Sequence, residues 1–174
     1  MIFADISDFN NVNDYLPILN GAITADLTII FLVFHGVFQS VFLKKWYKIF
    51  NLSAIIADVL ILVIGLIITR FLYHYVFNQW SIIQFTGLAI FIQIIHDLLF
   101  YFIFSITPFK YSYILDFFKK YAEEVSFRAI LGDSFMMFLT CFLSSHFATL
   151  NLNLNIISLI INVYFIPYLI YMEY

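Results

Sequence analysis

The chain has 174 residues, 64% of them hydrophobic and only 11% charged, with a formal net charge of −3. A soluble domain carries roughly 25% charged residues, so a water-soluble globule is excluded and lipid is the expected solvent. The single cysteine, Cys141, excludes an intrachain disulfide, a CxxC redox pair and a cysteine-built metal cage.

Residues 1–21 hold Asp5, Asp8 and Asp14 but no Lys or Arg. This acidic arm lacks the basic stretch of a cleavable signal peptide, so the first span is expected to insert as an uncleaved anchor. Windows of about 20 apolar residues then place five spans at 22–43, 52–77, 80–106, 128–150 and 153–172. They form a single membrane domain over residues 22–174, with no repeat and no linker. The connections at 78–79 and 151–155 are too short to build anything outside the bilayer.

Residues 109–127 break the pattern. Ile114, Phe117, Phe118, Tyr121 and Val125 recur at helical spacing, while Asp116, Lys119, Lys120, Glu123 and Glu124 take the other face. The expectation is one amphipathic helix lying on the membrane interface. Asp116 with Lys120 and Glu124 with Arg128 are acid-first i,i+4 pairs, each worth about 0.2–0.5 kcal/mol on an exposed helix. Lys119, Lys120, Glu123 and Glu124 form either a solvated face or a docking surface for a soluble partner. The predicted class is therefore an all-α membrane protein of five transmembrane helices and one interfacial helix.

Lys44, Lys45 and Lys48 lie in the first connection, and Lys110, Lys119, Lys120 and Arg128 in or at the end of the third. Seven of the eight basic residues thus fall on one side, leaving Arg70 alone elsewhere. Basic loops stay cytoplasmic, which predicts a non-cytoplasmic N-terminus and a cytoplasmic C-terminus.

Ionisable groups within spans are costly and mark function by default. Counted along their helices, Asp58, Asp97 and Asp133 share the cytoplasmic half of the bundle with His96 and Arg128. On the opposite side Asp26 and Arg70 have matched depths and are expected to pair, and His74 and His146 are also level. The acids fit a proton or cation pathway, in which clustered carboxyls in a hydrated crevice relay charge. They equally fit a structural set bonded to neighbouring helices. Haem between His74 and His146 is a further reading, but no cofactor is expected. A retinal Schiff base is excluded, because all six lysines lie in connections.

Two resemblances add to this. EEVSFR at 123–128 and Phe142 to His146 resemble the EExxxR and FxxxH motifs of the CAAX-type intramembrane proteases, which implies peptide hydrolysis by water activated between a glutamate and a histidine. The strings IQIIHDLLFYFIF (92–104) and DFFKKYAEEVSFRAILGDSFMM (116–137), with PYLIYM in the last span, are similar to those of small multi-pass proteins of large nucleocytoplasmic DNA viruses. That likeness, over about residues 84–172, implies a structural component of a giant-virus internal membrane with no catalytic residues to carry over. The abundance of Phe and Tyr and the scarcity of Gly fit an AT-rich genome. The expectation is a non-enzymatic structural protein, with lipid, other membrane or capsid proteins or its own copies as partners and no nucleic acid. A small proton or cation transporter using Asp58, Asp97 and Asp133 is the alternative, and the protease the third.

Overall fold

The computed structural model describes residues 3–38, 40–125 and 127–172, which fold into helices with no strand. A 3-10 turn (Val12–Asp14) leads into α1 (Tyr15–Phe34), followed by α2 (Val41–Phe50), α3 (Leu52–Val76), α4 (Ile82–Ile106), α5 (Tyr113–Val125), α6 (Arg128–Phe147) and α7 (Leu152–Ile170). Five of these, α1, α3, α4, α6 and α7, are long and apolar enough to cross a membrane. The all-α architecture expected from composition, with five helices that could each span a membrane, is the one the chain adopts. Ser126, inside the EEVSFR string, and the terminal residues Glu173 and Tyr174 lie outside the described residues.

The helix α1 is the centre of the bundle: 67% of its apolar window is buried in protein, against 17% for α4 and α7. It packs most closely on α6, where Gly21 lets the two backbones approach. A Cβ at Gly21 would lie 2.6 Å from the backbone nitrogen of Ser144, so only glycine fits. Small residues at helix contacts serve this purpose in lipid, where apolar burial gives no preference for protein over acyl chain. Amide side chains join α7 to the same helix. Asn20 donates to the backbone and side-chain oxygens of Asn155 at 2.9 and 3.1 Å, and Asn162 donates to Thr24 Oγ1 at 2.9 Å.

The first span is displaced from the expected 22–43: it includes residues 15–21, which were expected in the N-terminal arm, and ends at Phe34. Its C-terminus is closed by Gly36 at φ 75°, with Gly36 N–H donating to Val33 O and Val37 N–H to Leu32 O. That pair of bonds is the Schellman arrangement, which needs a left-handed residue and so selects glycine. The apolar run beyond it does not continue the span but folds as α2, a second amphipathic helix. Trp46 and Tyr47 are buried, while Lys44, Lys45 and Lys48 are exposed. Asn51, at φ 47° and ψ −122°, makes the sharp turn into α3, in a positive-φ region that only glycine adopts readily.

The expected interfacial helix is present as α5, and it lies against α2. The Glu124 carboxylate accepts from Ser40 Oγ and from the backbone N–H groups of Val41 and Phe42, at 2.9–3.2 Å. It satisfies donors that the first turn of α2 otherwise leaves unpaired, at the positive end of that helix. Lys48 Nζ donates to Met172 O at 2.6 Å, so the end of α7 lies at the same end of the bundle as α2. The N-terminal arm closes the opposite end. There Ala4 N–H donates to Ser145 O, Ser145 Oγ donates to Ala4 O, and Ser7 Oγ lies 3.1 Å from His74 Nε2.

Candidate functional site

In the basic half of the bundle, a partly open cavity of about 300 Å³ lies between α3, α4 and α6 with α2 and α5 across it. Four of the five residues expected to cluster line it: Asp58 from α3, His96 and Asp97 from α4, and Asp133 from α6. Arg128 does not. It is exposed at the first position of α6 and absent from the cavity wall, because the chain emerges there from the surface helix before turning into the bundle. Among the described residues, no lysine or arginine lines the cavity.

Asp58 and Asp97 are held differently. Asp58 Oδ2 accepts from the indole N–H of Trp46 at 2.9 Å. Asp97 Oδ1 accepts from Gln93 Nε2 at 2.8 Å, one helical turn back, and lies 3.2 Å from His96 Nδ1. Asp97 Oδ2 is buried with no hydrogen-bond partner, a costly state for a carboxylate oxygen. The side chains of His96 and Asp97 are 39% and 12% exposed, which puts the imidazole where the cavity reaches the surface.

The remaining wall is part aliphatic, with Leu43, Ile61, Leu62 and Met136 among it, and part aromatic. Trp46 packs on Phe117 and Phe118 with ring centroids 5.8 and 4.9 Å apart, and Phe100 meets Phe118 edge-on at 5.0 Å. Tyr47 and Tyr121 complete the aromatic part. Burial pushes the Tyr121 phenol up, and Asp133 beside it pushes it further. Tyr47 is raised by burial first and then by Asp26 and Asp58. Both phenols are held protonated, and Tyr47 donates to Asp26.

The expected pairing of Asp26 with Arg70 does not occur. Asp26 Oδ1 accepts from Tyr47 Oη at 3.0 Å. Arg70 instead pairs with Asp14 at 3.1 Å, donates to the backbone oxygens of Asp8 and Asn11, and lies over the Tyr15 ring at 4.8 Å. The expected matched depth does not hold either, since Arg70 is level with the start of α1 while Asp26 lies towards its α2 end. The arm folds back over the bundle and brings acceptors to a guanidinium whose side chain is 0% exposed.

The proposed docking surface on α5 is partly spent inside the protein. Glu124 caps α2, and Lys119 donates to Thr107 O and sits 4.3 Å over the Phe109 ring. Lys120 and Glu123 remain exposed. Among the described residues, neither expected i,i+4 ion pair forms. Asp116 accepts from the backbone N–H of Lys110 at 2.8 Å, and Glu124 and Arg128 sit on different helices. The protease geometry fails as well. Arg128 and His146 are the first and nineteenth residues of α6, about 27 Å apart at ~1.5 Å per residue, so the glutamates and this histidine lie at opposite ends of the bundle.

Two residues that sequence reasoning passed over, Trp46 and Tyr47, bind acids from two different spans. Their signal was present: Phe42, Trp46 and Phe50 recur every four residues, with three lysines between them, as in an interfacial helix. No family model, curated protein or solved structure matches this chain.

Proposed function

We propose that the chain is a multi-pass membrane protein that takes up a cation into the acid-walled cavity, a member of the transport class rather than a structural one. The observation that carries this is the convergence of Asp58, Asp97 and Asp133, from three helices, on one cavity with no lysine or arginine among the described residues of its wall. Asp97 keeps a buried oxygen without a partner, which a bound cation would supply. The space itself would hold about ten waters at ~30 Å³ each.

The orientation that suits this role has the N-terminus outside and the cavity toward the cytoplasm. Its support is the grouping of Lys44, Lys45, Lys48, Lys119 and Lys120 around α2 and α5, together with the positive-inside rule. At the other end the Arg70–Asp14 pair and the folded-back arm close the bundle. Uptake is thus one-sided in this conformation, and steady conduction requires that plug to open.

Proteoliposomes on a solid support, exposed to jumps of proton, sodium, potassium or ammonium salt, test the proposal. The expected result is a transient charge displacement with at least one cation, lost in Asp97→Asn and Asp133→Asn proteins that elute and unfold like the parent. No displacement with any cation from folded protein would overturn it and return the acids to a structural role.

A further inference from the structure

We infer that the cavity recognises an organic ammonium group, either a free substituted amine or a lipid headgroup of the same chemistry; this rests on the cation-uptake reading above. Two observations select the class. Among the described residues, no group of three acid, histidine or cysteine side chains converges closely enough to hold a metal ion. A calcium ion alone takes about six to eight oxygens at roughly 2.3–2.6 Å. The carboxylates here surround a space instead of meeting at a point.

Trp46, Tyr47, Phe100, Phe117, Phe118 and Tyr121 line that space together with aliphatic side chains. Aromatic rings attract a cation through their quadrupole, and cages of them take substituted ammonium ions, whose positive charge is spread over an apolar surface. The ring contacts described above fix the cage, and the bond from Trp46 to Asp58 fixes its indole. Carboxylates supply the countercharge, and the unpartnered Asp97 Oδ2 supplies an acceptor. About 300 Å³ is at the small end of ligand pockets, ample for an ammonium head with a short chain and far larger than a bare metal ion.

Tryptophan fluorescence of the full chain in maltoside micelles, a detergent without an amine, tests this. Of the two tryptophans, Trp46 lines the cavity, while Trp80 packs on Tyr73 and Phe85 from the opposite end of α3. A Trp80→Phe background therefore isolates the reporter. The titrants are tetramethylammonium chloride, choline chloride, dihexanoylphosphatidylcholine, the chlorides of sodium, potassium and calcium, and 3,3-dimethylbutan-1-ol as the uncharged isostere of choline.

The expected result is a saturable signal with the ammonium compounds and none with the isostere, weakened about tenfold or more by Asp97→Asn and by Phe118→Leu. Saturation by choline identifies a free amine, and saturation by the phosphatidylcholine alone identifies a headgroup; both uphold the inference. Equal binding of the isostere, or no ammonium binding, overturns it. If sodium, potassium or calcium saturates instead, the ammonium class falls while cation uptake stands. If nothing binds and no charge moves in the vesicle assay, both fall. Should Asp97→Asn fail to fold, Asp133→Asn carries the same comparison.

Discussion

Tyr47 donates its phenol proton to Asp26 across 3.0 Å while its neighbour Trp46 donates to Asp58 at 2.9 Å, so one turn of α2 fastens to α1 and α3 together. Successive residues on a helix point about 100° apart, which is what lets adjacent side chains reach two spans. Asp26 Oδ2 has no partner of its own, so Tyr47→Phe leaves the whole carboxyl group buried and unbonded. The expected loss is about 1–3 kcal/mol, read by thermal unfolding in detergent. Pairing Tyr47→Phe with Asp26→Leu should recover much of that loss, and strictly additive effects would show that the bond contributes nothing.

The same phenol sets an alkaline limit. Burial, then the nearby Asp26 and Asp58, holds Tyr47 protonated above the ordinary phenol value near 10. In the unfolded chain the phenol ionises near that value, while the folded chain keeps its proton, so the unfolded state binds fewer protons and stability falls as pH rises. Tyr121 is raised in the same direction, by burial and then Asp133. Unfolding midpoints should therefore hold steady below about pH 10 and drop above it. Tyr121→Phe should flatten that drop, and an unchanged slope would exclude the phenol as its source.

Two glycines at helix contacts should behave differently when given a methyl group. At Gly21 the new Cβ meets the backbone of Ser144 at 2.6 and 2.9 Å, so α1 and α6 must separate. At Gly65 it meets the Cε end of Met137 at 2.7 Å, a flexible atom that can swing away. Gly21→Ala is expected to cost about 1–3 kcal/mol, as overpacked cores do, and Gly65→Ala much less. Parallel unfolding curves decide it, and equal effects at the two sites would contradict the packing described.

The span count, the interfacial helix α5 and the clustering of Asp58, His96, Asp97 and Asp133 were legible in sequence, because long apolar runs and helical rise determine depth. Helix ends and chain reversal were not. Asp26 and Arg70 are not level, because α1 begins at Tyr15 and not at residue 22: Arg70 meets Asp14 and Tyr15 at the start of α1, and Asp26 lies twelve residues beyond Asp14, about 18 Å at ~1.5 Å per residue, beside Tyr47. The early end of α1 was signalled by Gly36, but an apolar run on both sides hid it. Asn51 is equally plain in sequence, yet without its positive φ the turn from α2 into α3 could not be told from a continuous loop.

Breaking the plug at the opposite end should be expensive in an asymmetric way. Arg70→Met removes the cation from Asp14, whose side chain is 8% exposed, and leaves the backbone oxygens of Asp8 and Asn11 without their donor. Loss of one partner of a buried pair costs about 3–5 kcal/mol. Asp14→Asn should cost less, because the guanidinium keeps its two backbone acceptors and the Tyr15 ring. Comparing the two by denaturation, with protease access to the arm as a second readout, checks the order. A larger loss from Asp14→Asn would mean that the ion pair, and not the backbone bonds, holds the arm.

Orientation can be read with single cysteines, because the native Cys141 is 0% exposed and should give no background. Val12 is 71% exposed on the arm, and Lys120 is exposed on α5 at the basic end. An impermeant maleimide added to intact cells should label Val12→Cys at once and Lys120→Cys only after the membrane is opened. The reasoning is that seven of eight basic residues gather on one side, and translocating them would work against the bias that retains Lys and Arg in the cytoplasm. Immediate labelling of Lys120→Cys with protection of Val12→Cys would invert the orientation and turn the cavity outward, so that the cation would be taken from the exterior. Labelling of both from one side would refute an odd number of crossings between them, and with it the assignment of α1, α3 and α4 as three successive spans.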